Sequence, residues 1–439
     1  MKATRIITTV FIALASLAAN AQEGAWNGEL NIMGTKLPLV FNFSGDGCTM
    51  DSPSQGAKGI PAEKTIKDDG TIKVSVAMIG ATFEGKMENG EIKGTYTQNG
   101  FHIPLTLKPG KLVVKRPQTP VAPFPYKEEN ISFTNAGYTF NGTLTLPQNY
   151  SKQTPVVLMV TGSGQQNRDE ELFDHKPFAV IADALARQGI ASLRYDDRGW
   201  NDKNIDFGQF TTADFLQDAA SALPLLRKRF NKVGILGHSE GGTIAMMLAA
   251  EGKADFIVSL AGMAISGKET LVMQNRQAMS AINLPKDMVD SYCATISNIL
   301  NEIANGKKTS EITIDGVPDN LKPILKRSLE QANSSYIRHF ITIDAGKQLS
   351  KIKCPVLALN GTKDTQVDCA ANTTILETGL SNCKHTIKKI DGVNHLFQHC
   401  STGSIVEYQQ IEETIAPEVL ETITKWINDQ QRTINEAQE

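Results

Sequence analysis

The sequence predicts an α/β domain on a mostly parallel sheet, with a helical cap inserted into it and a small antiparallel β domain ahead of it. Three observations carry that prediction. From Val156 onward, continuous apolar runs alternate with amphipathic helical stretches. The rhythm stops between residues 265 and 347 and resumes at Pro355. Before residue 116 the chain reads as short alternating strands separated by Asp-Gly and Asn-Gly turns.

Residues 1–21 are expected to lie outside the fold. Lys2 and Arg5 give a positive start, Ile6 to Ala19 is largely apolar, and Ala19-Asn20-Ala21 fits small-residue cleavage before Gln22. A signal peptide predicts an exported protein, periplasmic or extracellular. The run is short for a membrane anchor and no stop-transfer flank follows, so no stable membrane insertion is expected. Residues 24–115 form the predicted N-terminal antiparallel β domain, curled or closed. Its strands include Lys36-Leu-Pro-Leu-Val-Phe-Asn-Phe and Glu91-Ile-Lys-Gly-Thr-Tyr, and its hairpin signals are Asp69-Gly70, Asn89-Gly90 and Asn99-Gly100. It could hold a ligand inside a barrel or serve as a stabilising or docking module. Its lone His102 reads as structural or surface. Residues 116–130 are a proline-rich linker, extended because proline fixes φ and lacks an N–H.

The first part of the α/β core is assigned to 131–264, the cap to 265–347 and the second part of the core to 348–431. Tyr138-Thr-Phe-Asn-Gly-Thr-Leu-Thr-Leu pairs with Ile131-Ser-Phe-Thr in an opening hairpin. Val156-Val-Leu-Met-Val, Ile190-Ala-Ser-Leu-Arg-Tyr, Val233-Gly-Ile-Leu, Phe256-Ile-Val-Ser-Leu and Pro355-Val-Leu-Ala-Leu are the buried strands, and Thr386-Ile-Lys-Lys-Ile is the last. In the cap, helices are expected over Glu269–Ala281, Pro285–Ile303 and Leu321–Ala332, with 309–315 extended. Met263, Met273, Met279 and Met288 could line an apolar wall or pack within the cap.

Charge is near balance, with 44 basic and 47 acidic residues and a net charge of −3. No basic cluster is long enough to suggest nucleic-acid binding. The six cysteines could form disulfides in an oxidising compartment, Cys369 with Cys383 or Cys400 being a plausible pair. No C-x-x-C occurs, and no metal or cofactor constellation is present.

The chemistry centres on Gly237-His-Ser-Glu-Gly-Gly, a G-x-S-x-G pattern between an apolar strand and a helical run. Ser239 would sit at the apex of a tight turn as a nucleophile; the structural alternative is a serine that caps the helix. The N–H of Glu240 would point at a developing oxyanion. A serine needs a base, and the base needs a carboxylate to fix its tautomer. Asp364 and His395 both follow strands closely, in the chain order Ser239, Asp364, His395. Asp368 and Asp391 are rival acids, and His399 and His385 rival bases. His238 is expected to pack under the turn. Ser163, on the Gly-rich loop after the first parallel strand, is the candidate second oxyanion donor through its N–H. Arg168, Asp169, Glu170, Arg194, Asp196, Asp197 and Arg198 form two charged loops, read as an Arg–Asp network that holds them together, the alternative being a clamp for a substrate carboxylate by Arg168 or Arg198.

Gly162-Ser-Gly-Gln-Gln-Asn-Arg-Asp-Glu, Leu193-Arg-Tyr-Asp-Asp-Arg-Gly, Thr212-Ala-Asp-Phe and Gly237-His-Ser-Glu-Gly-Gly together resemble the bacterial α/β-hydrolases grouped with serine aminopeptidase-like proteins and esterase D-type carboxylesterases. The resemblance covers about 130–430. It implies an α/β-hydrolase fold and a triad at Ser239, Asp364 and His395. It also implies a carboxylesterase acting on small or short-acyl esters. The triad chemistry would run through an acyl-enzyme and needs no cofactor or metal. Gln165 and Trp200 depart from the pattern at the substrate entrance. A peptidase with the same triad is the alternative, and it would need an acidic anchor for a free amine; Glu170, Glu171 and Glu240 are available. A binding protein led by the β domain, with an inert hydrolase domain, is the remaining alternative.

Overall fold

The computed structural model describes residues 23–438 apart from 33–34, 46, 54–56, 99, 112–114, 201, 203, 282–283, 315–316 and 319–320. The predicted signal peptide and Asn99 lie outside the described residues. The chain divides into two compact units. One holds the residues up to Lys115 together with Val406–Glu412, and the other holds Arg116–Ile405 and Glu413–Glu439.

The first unit is a closed antiparallel barrel of eight strands: β1 (Gly24–Ile32), β2 (Thr35–Ser44), β3 (Gly47–Ser52), β4 (Ala57–Ile66), β5 (Ile72–Val76), β6 (Ala81–Glu88), β7 (Glu91–Gln98) and β8 (Phe101–Pro109). β8 returns to β1 at Trp26↔Pro109 and closes the barrel. Asn89 and Gly90 both have positive φ and join Glu88 to its partner Glu91, as a two-residue hairpin requires. Period-two alternation sends Trp26, Phe41, Phe43, Met50, Phe83 and Tyr96 inward. These large side chains occupy the interior where a ligand would sit, which removes the observation that would favour a lumen site. His102 lies on the surface with Nδ1 2.9 Å from Thr97 Oγ1.

The second unit is an eight-stranded mixed sheet: β9 (Lys127–Asn135), β10 (Tyr138–Leu146), β11 (Val156–Val160), β12 (Ala191–Tyr195), β13 (Val233–His238), β14 (Ile257–Leu260), β15 (Val356–Gly361) and β16 (His385–Ile390). Its order is β16-β15-β14-β13-β11-β12-β10-β9, with β9 and β10 antiparallel at one edge and the strands from β12 to β16 parallel. Alternate residues of one strand serve two cores. Val156, Leu158 and Val160 of β11 join one apolar cluster, and Val157 and Met159 join the other. Buried on both faces, such strands must read as continuous apolar runs.

The helices of this unit are α1 (Pro177–Arg187), α2 (Thr212–Arg227), α3 (Glu240–Ala250), α4 (Gly267–Ala281), α5 (Lys286–Ala304), α6 (Lys322–Gln331), α7 (Ser335–Phe340), α8 (Cys369–Gly379) and α10 (Pro417–Gln438), while the one-turn α9 (Ile405–Tyr408) has all but its first residue in the first unit. α2 opens on a capping box between Thr211 and Asp214. The region between β14 and β15 is helical, α4 to α7, with its own core of Tyr292, Ile296, Leu300, Leu325 and their neighbours. Two expectations there are corrected. Thr309–Glu311 is a 3-10 turn rather than an extended segment, and the short helix α7 was not foreseen. Met279 packs inside the cap core and Met263 in a sheet core, so both are packing residues.

None of the six cysteines is in a disulfide. Cys369 directs Sγ toward the Asn360 carbonyl and Cys400 toward that of Gly392, which takes the expected partners apart. Burial pushes the Cys354 thiol up to about 12 and the Cys369 thiol to about 11, the behaviour of packed rather than reactive thiols.

Candidate active site

The turn at Ser239 is forced by close approach. A Cβ on Gly237 would lie 2.0 Å from the Gly241 carbonyl oxygen, and one on Gly241 2.0 Å from that of Val160. Between them Ser239 takes φ 53 and ψ −119, a conformation that non-glycine residues seldom adopt. Its hydroxyl makes no capping bond to α3, which removes the helix-cap alternative. The N–H of Ser239 is held by the Leu260 carbonyl at 2.8 Å, fixing the elbow to β14. Among the described residues, the N–H groups of Glu240 and Ser163 have no acceptor. For Glu240 this follows from its place in the first turn of α3.

Asp364 and His395 come together from the loops after β15 and β16. His395 Nδ1 lies 2.7 Å from Asp364 Oδ2, and both residues are buried. The carboxylate is itself fixed: Oδ1 accepts the N–H groups of Gln366 and Val367 at 2.8 and 2.9 Å, and Oδ2 accepts from Asn360 Nδ2 at 3.1 Å. The rivals are elsewhere. Asp368 caps α8 through the Ala371 N–H, and Asp391 accepts from Thr362 on the surface. His399 is exposed beside Glu413 and Glu418, and His385 faces the Cys383 carbonyl.

His238 is buried against this pair. Its Nε2 donates to the His395 carbonyl at 2.9 Å, its ring centroid is 4.7 Å from that of His395, and its Nδ1 lies 3.0 Å from Glu170 Oε1. Glu170 also accepts the Gly162 N–H at 2.6 Å. Sequence reasoning placed His238 under the elbow but missed Glu170 as its partner. Glu240 is buried as well. Its carboxyl accepts from Thr212 Oγ1 and, at 2.6 Å, from the Tyr336 hydroxyl on α7, and burial raises its pKa.

The charged loops form the expected network. Arg168 pairs with Asp196, Arg194 with Asp169 and Glu128, and Arg198 with Asp218 through Nε and Nη2 at 2.7 and 2.8 Å. Asp197 accepts from Thr161 Oγ1 and the Gln166 N–H, which joins the loop after β12 to the loop after β11. Burial holds its carboxyl well above the usual range. Arg198 also stacks on Tyr138 and Phe210. With Arg168 and Arg198 so engaged, neither presents a free guanidinium to a substrate carboxylate. Arg198→Ala would leave Asp218 buried without its cation. It is expected to cost about 3–5 kcal/mol of stability, read as a lowered denaturation midpoint in urea; an unchanged midpoint would contradict the structural role.

A family model described as "Serine aminopeptidase, S33" matches residues 175–300, which include the elbow. Esterase EstD of Thermotoga maritima is 26% identical over 304 residues, spanning 67% of this chain and 68% of that one. The chain has the α/β-hydrolase fold and is similar to esterases and serine aminopeptidase-like proteins. This α/β-hydrolase has a fold of the serine-hydrolase type, capable of ester or amide hydrolysis. Among solved structures the chain is similar to Est1E from Butyrivibrio proteoclasticus, with 17% identity, TM-score 0.42 and coverage of 69% of this chain and 98% of that one. Dienelactone hydrolase from Anabaena variabilis gives 17% identity, TM-score 0.40 and coverage of 70% and 98%. Among the described residues, no helix is long and apolar enough to cross a membrane, and no group of His, Cys, Asp and Glu could hold a metal ion.

Proposed function

We propose that this α/β-hydrolase is a serine carboxylesterase for small, short-acyl esters, with Ser239 as nucleophile, His395 as base and Asp364 as the carboxylate that orients it. The observation that carries this reading is the buried Asp364–His395 pair, bound through the His395 carbonyl to the residue preceding Ser239. His395 Nε2 takes the Ser239 proton as Oγ attacks the ester carbonyl. The N–H groups of Glu240 and Ser163 hold the oxyanion. The imidazolium returns its proton to the departing alcohol, and the acyl-enzyme is then cleaved by a water that His395 deprotonates.

The carboxylates offered for an amine anchor favour ester over peptide. Glu170 is buried and accepts from Gly162 and His238, and Glu240 is buried under Thr212 and Tyr336. Glu171 already meets Asn167 and Lys176. The Tyr336–Glu240 bond also draws the cap onto the elbow, which favours a small acyl group.

Fluorophosphonate labelling followed by matched substrate panels tests the reading. Ser239 is expected to carry the label. p-Nitrophenyl acetate and butyrate should turn over faster than the octanoate and faster than aminoacyl or dipeptidyl anilides. Preference for an anilide would make the protein a peptidase, and labelling elsewhere would remove Ser239 from the mechanism.

A further inference from the structure

Resting on the esterase reading, we infer that Glu170 and His238 are positioning residues that together carry one extra proton, and that this proton locks the oxyanion loop, the elbow and the base loop into one unit. The proton count follows from three contacts. His238 Nε2 faces a carbonyl oxygen, that of His395 at 2.9 Å, and a carbonyl only accepts, so Nε2 bears a hydrogen. His238 Nδ1 faces Glu170 Oε1 at 3.0 Å, and a second hydrogen must lie between them. The same Oε1 accepts the Gly162 N–H at 2.6 Å. A neutral imidazole beside an ionised carboxylate has one hydrogen too few for this set.

Each bond holds a different part of the site. Gly162 begins the loop that carries Ser163, His238 is the last residue of β13 before Ser239, and His395 is the proposed base. The packing leaves little slack: a Cβ on Gly162 would lie 3.2 Å from both Glu170 Oε1 and Ser239 Cβ. With its own N–H turned to Glu170, Gly162 is not an oxyanion donor, and the next amide, that of Ser163, is left for that role. Phe178, Leu260 and Phe397 line a small apolar cavity beside the pair, so its bonds act in a medium of low dielectric.

Burial disfavours the charged form of His238, but the Glu170 carboxylate and the two hydrogen bonds outweigh it and raise the pKa. Asp364 adds to the rise by its charge, and the Glu170 carboxylate helps hold the carboxyl of buried Asp197, on the neighbouring loop, above the usual range. The locked form is therefore complete below the raised pKa and is lost as pH climbs through it, which gives the enzyme an alkaline limb.

Glu170→Gln tests this with an isosteric change. If the amide oxygen keeps the Gly162 N–H, neutral His238 can satisfy residue 170 or the His395 carbonyl but not both. If the amide nitrogen turns to Nδ1, Gly162 loses its acceptor. The expected result is a fall of about tenfold to a hundredfold in kcat on p-nitrophenyl butyrate with KM little changed, as for a small misplacement of catalytic groups. The alkaline limb of the wild-type profile should disappear, because the extra proton is already gone. The rate of fluorophosphonate labelling at Ser239 should fall in parallel. Glu171→Gln, one residue on, should behave as wild type in all three measurements, and His238→Gln should lose activity as Glu170→Gln does. Glu170→Gln with the wild-type kcat, limb and labelling rate would overturn the inference while leaving the esterase reading intact. Wild-type labelling at a residue other than Ser239 would overturn both.

Discussion

Ser239→Ala is expected to lower ester turnover by about 10⁶-fold and to leave the fold unchanged. On the proposed mechanism the loss is large because the oxygen is the reacting atom, and neither His395 nor the free N–H groups can replace it. The fold should survive because the hydroxyl makes no capping bond to α3 and the elbow is held by backbone geometry instead. Its main anchors are the Ser239 N–H to the Leu260 carbonyl and the contacts that exclude a Cβ at Gly237 and Gly241. Far-ultraviolet circular dichroism and the thermal midpoint should match wild type while p-nitrophenyl butyrate turnover falls to the background of binding and oxyanion stabilisation. A variant that keeps its rate would transfer the chemistry to another nucleophile. A variant that loses its fold would mean that the serine was a structural cap after all.

Local physics made much of this arrangement legible in the sequence. A strand buried on both faces has to be apolar throughout, and Val156–Val160 is. A two-residue hairpin needs two positive φ values, and Asn89-Gly90 supplies them. A nucleophile elbow needs small residues where backbones touch, and Gly237 and Gly241 stand there. What escaped the sequence is what only tertiary contact creates. Glu170 meets His238 from 68 residues away, and Tyr336 meets Glu240 from 96. No spacing rule joins such pairs, and the six-residue helix α7 that carries Tyr336 is too short to show a hydrophobic period. Cysteine count misled for a similar reason, since it says nothing of where each sulfur points. One signal was available and passed over. Asp368 begins an eleven-residue helix, which marks it as a cap rather than an acid of the site.

Asp364→Asn is expected to lower kcat by about 10⁴-fold, the cost of presenting the base in the wrong tautomer. The two backbone amides at Gln366 and Val367 decide how the new side chain sits. Both donate to Oδ1, so the amide oxygen must stay there and the amide nitrogen is driven to the Oδ2 position. That nitrogen can only donate. His395 Nδ1, 2.7 Å away in the native pair, must then accept, and the imidazole hydrogen moves to Nε2. An Nε2 that already bears hydrogen cannot take the Ser239 proton. The opposite flip would set the amide nitrogen against two backbone N–H groups, at a cost of roughly 1–3 kcal/mol for each donor left without a partner. The effect should fall on kcat with KM nearly constant, because the acid touches the base and not the ester. It should also vanish in a Ser239→Ala background, since the two residues act as one unit. Asp368→Asn is the matched control: it should retain turnover and cost only a few tenths of a kcal/mol, because asparagine caps a helix almost as well as aspartate. Retention of kcat within tenfold by Asp364→Asn would show that the pair at 2.7 Å holds the loops together without setting the tautomer of the base.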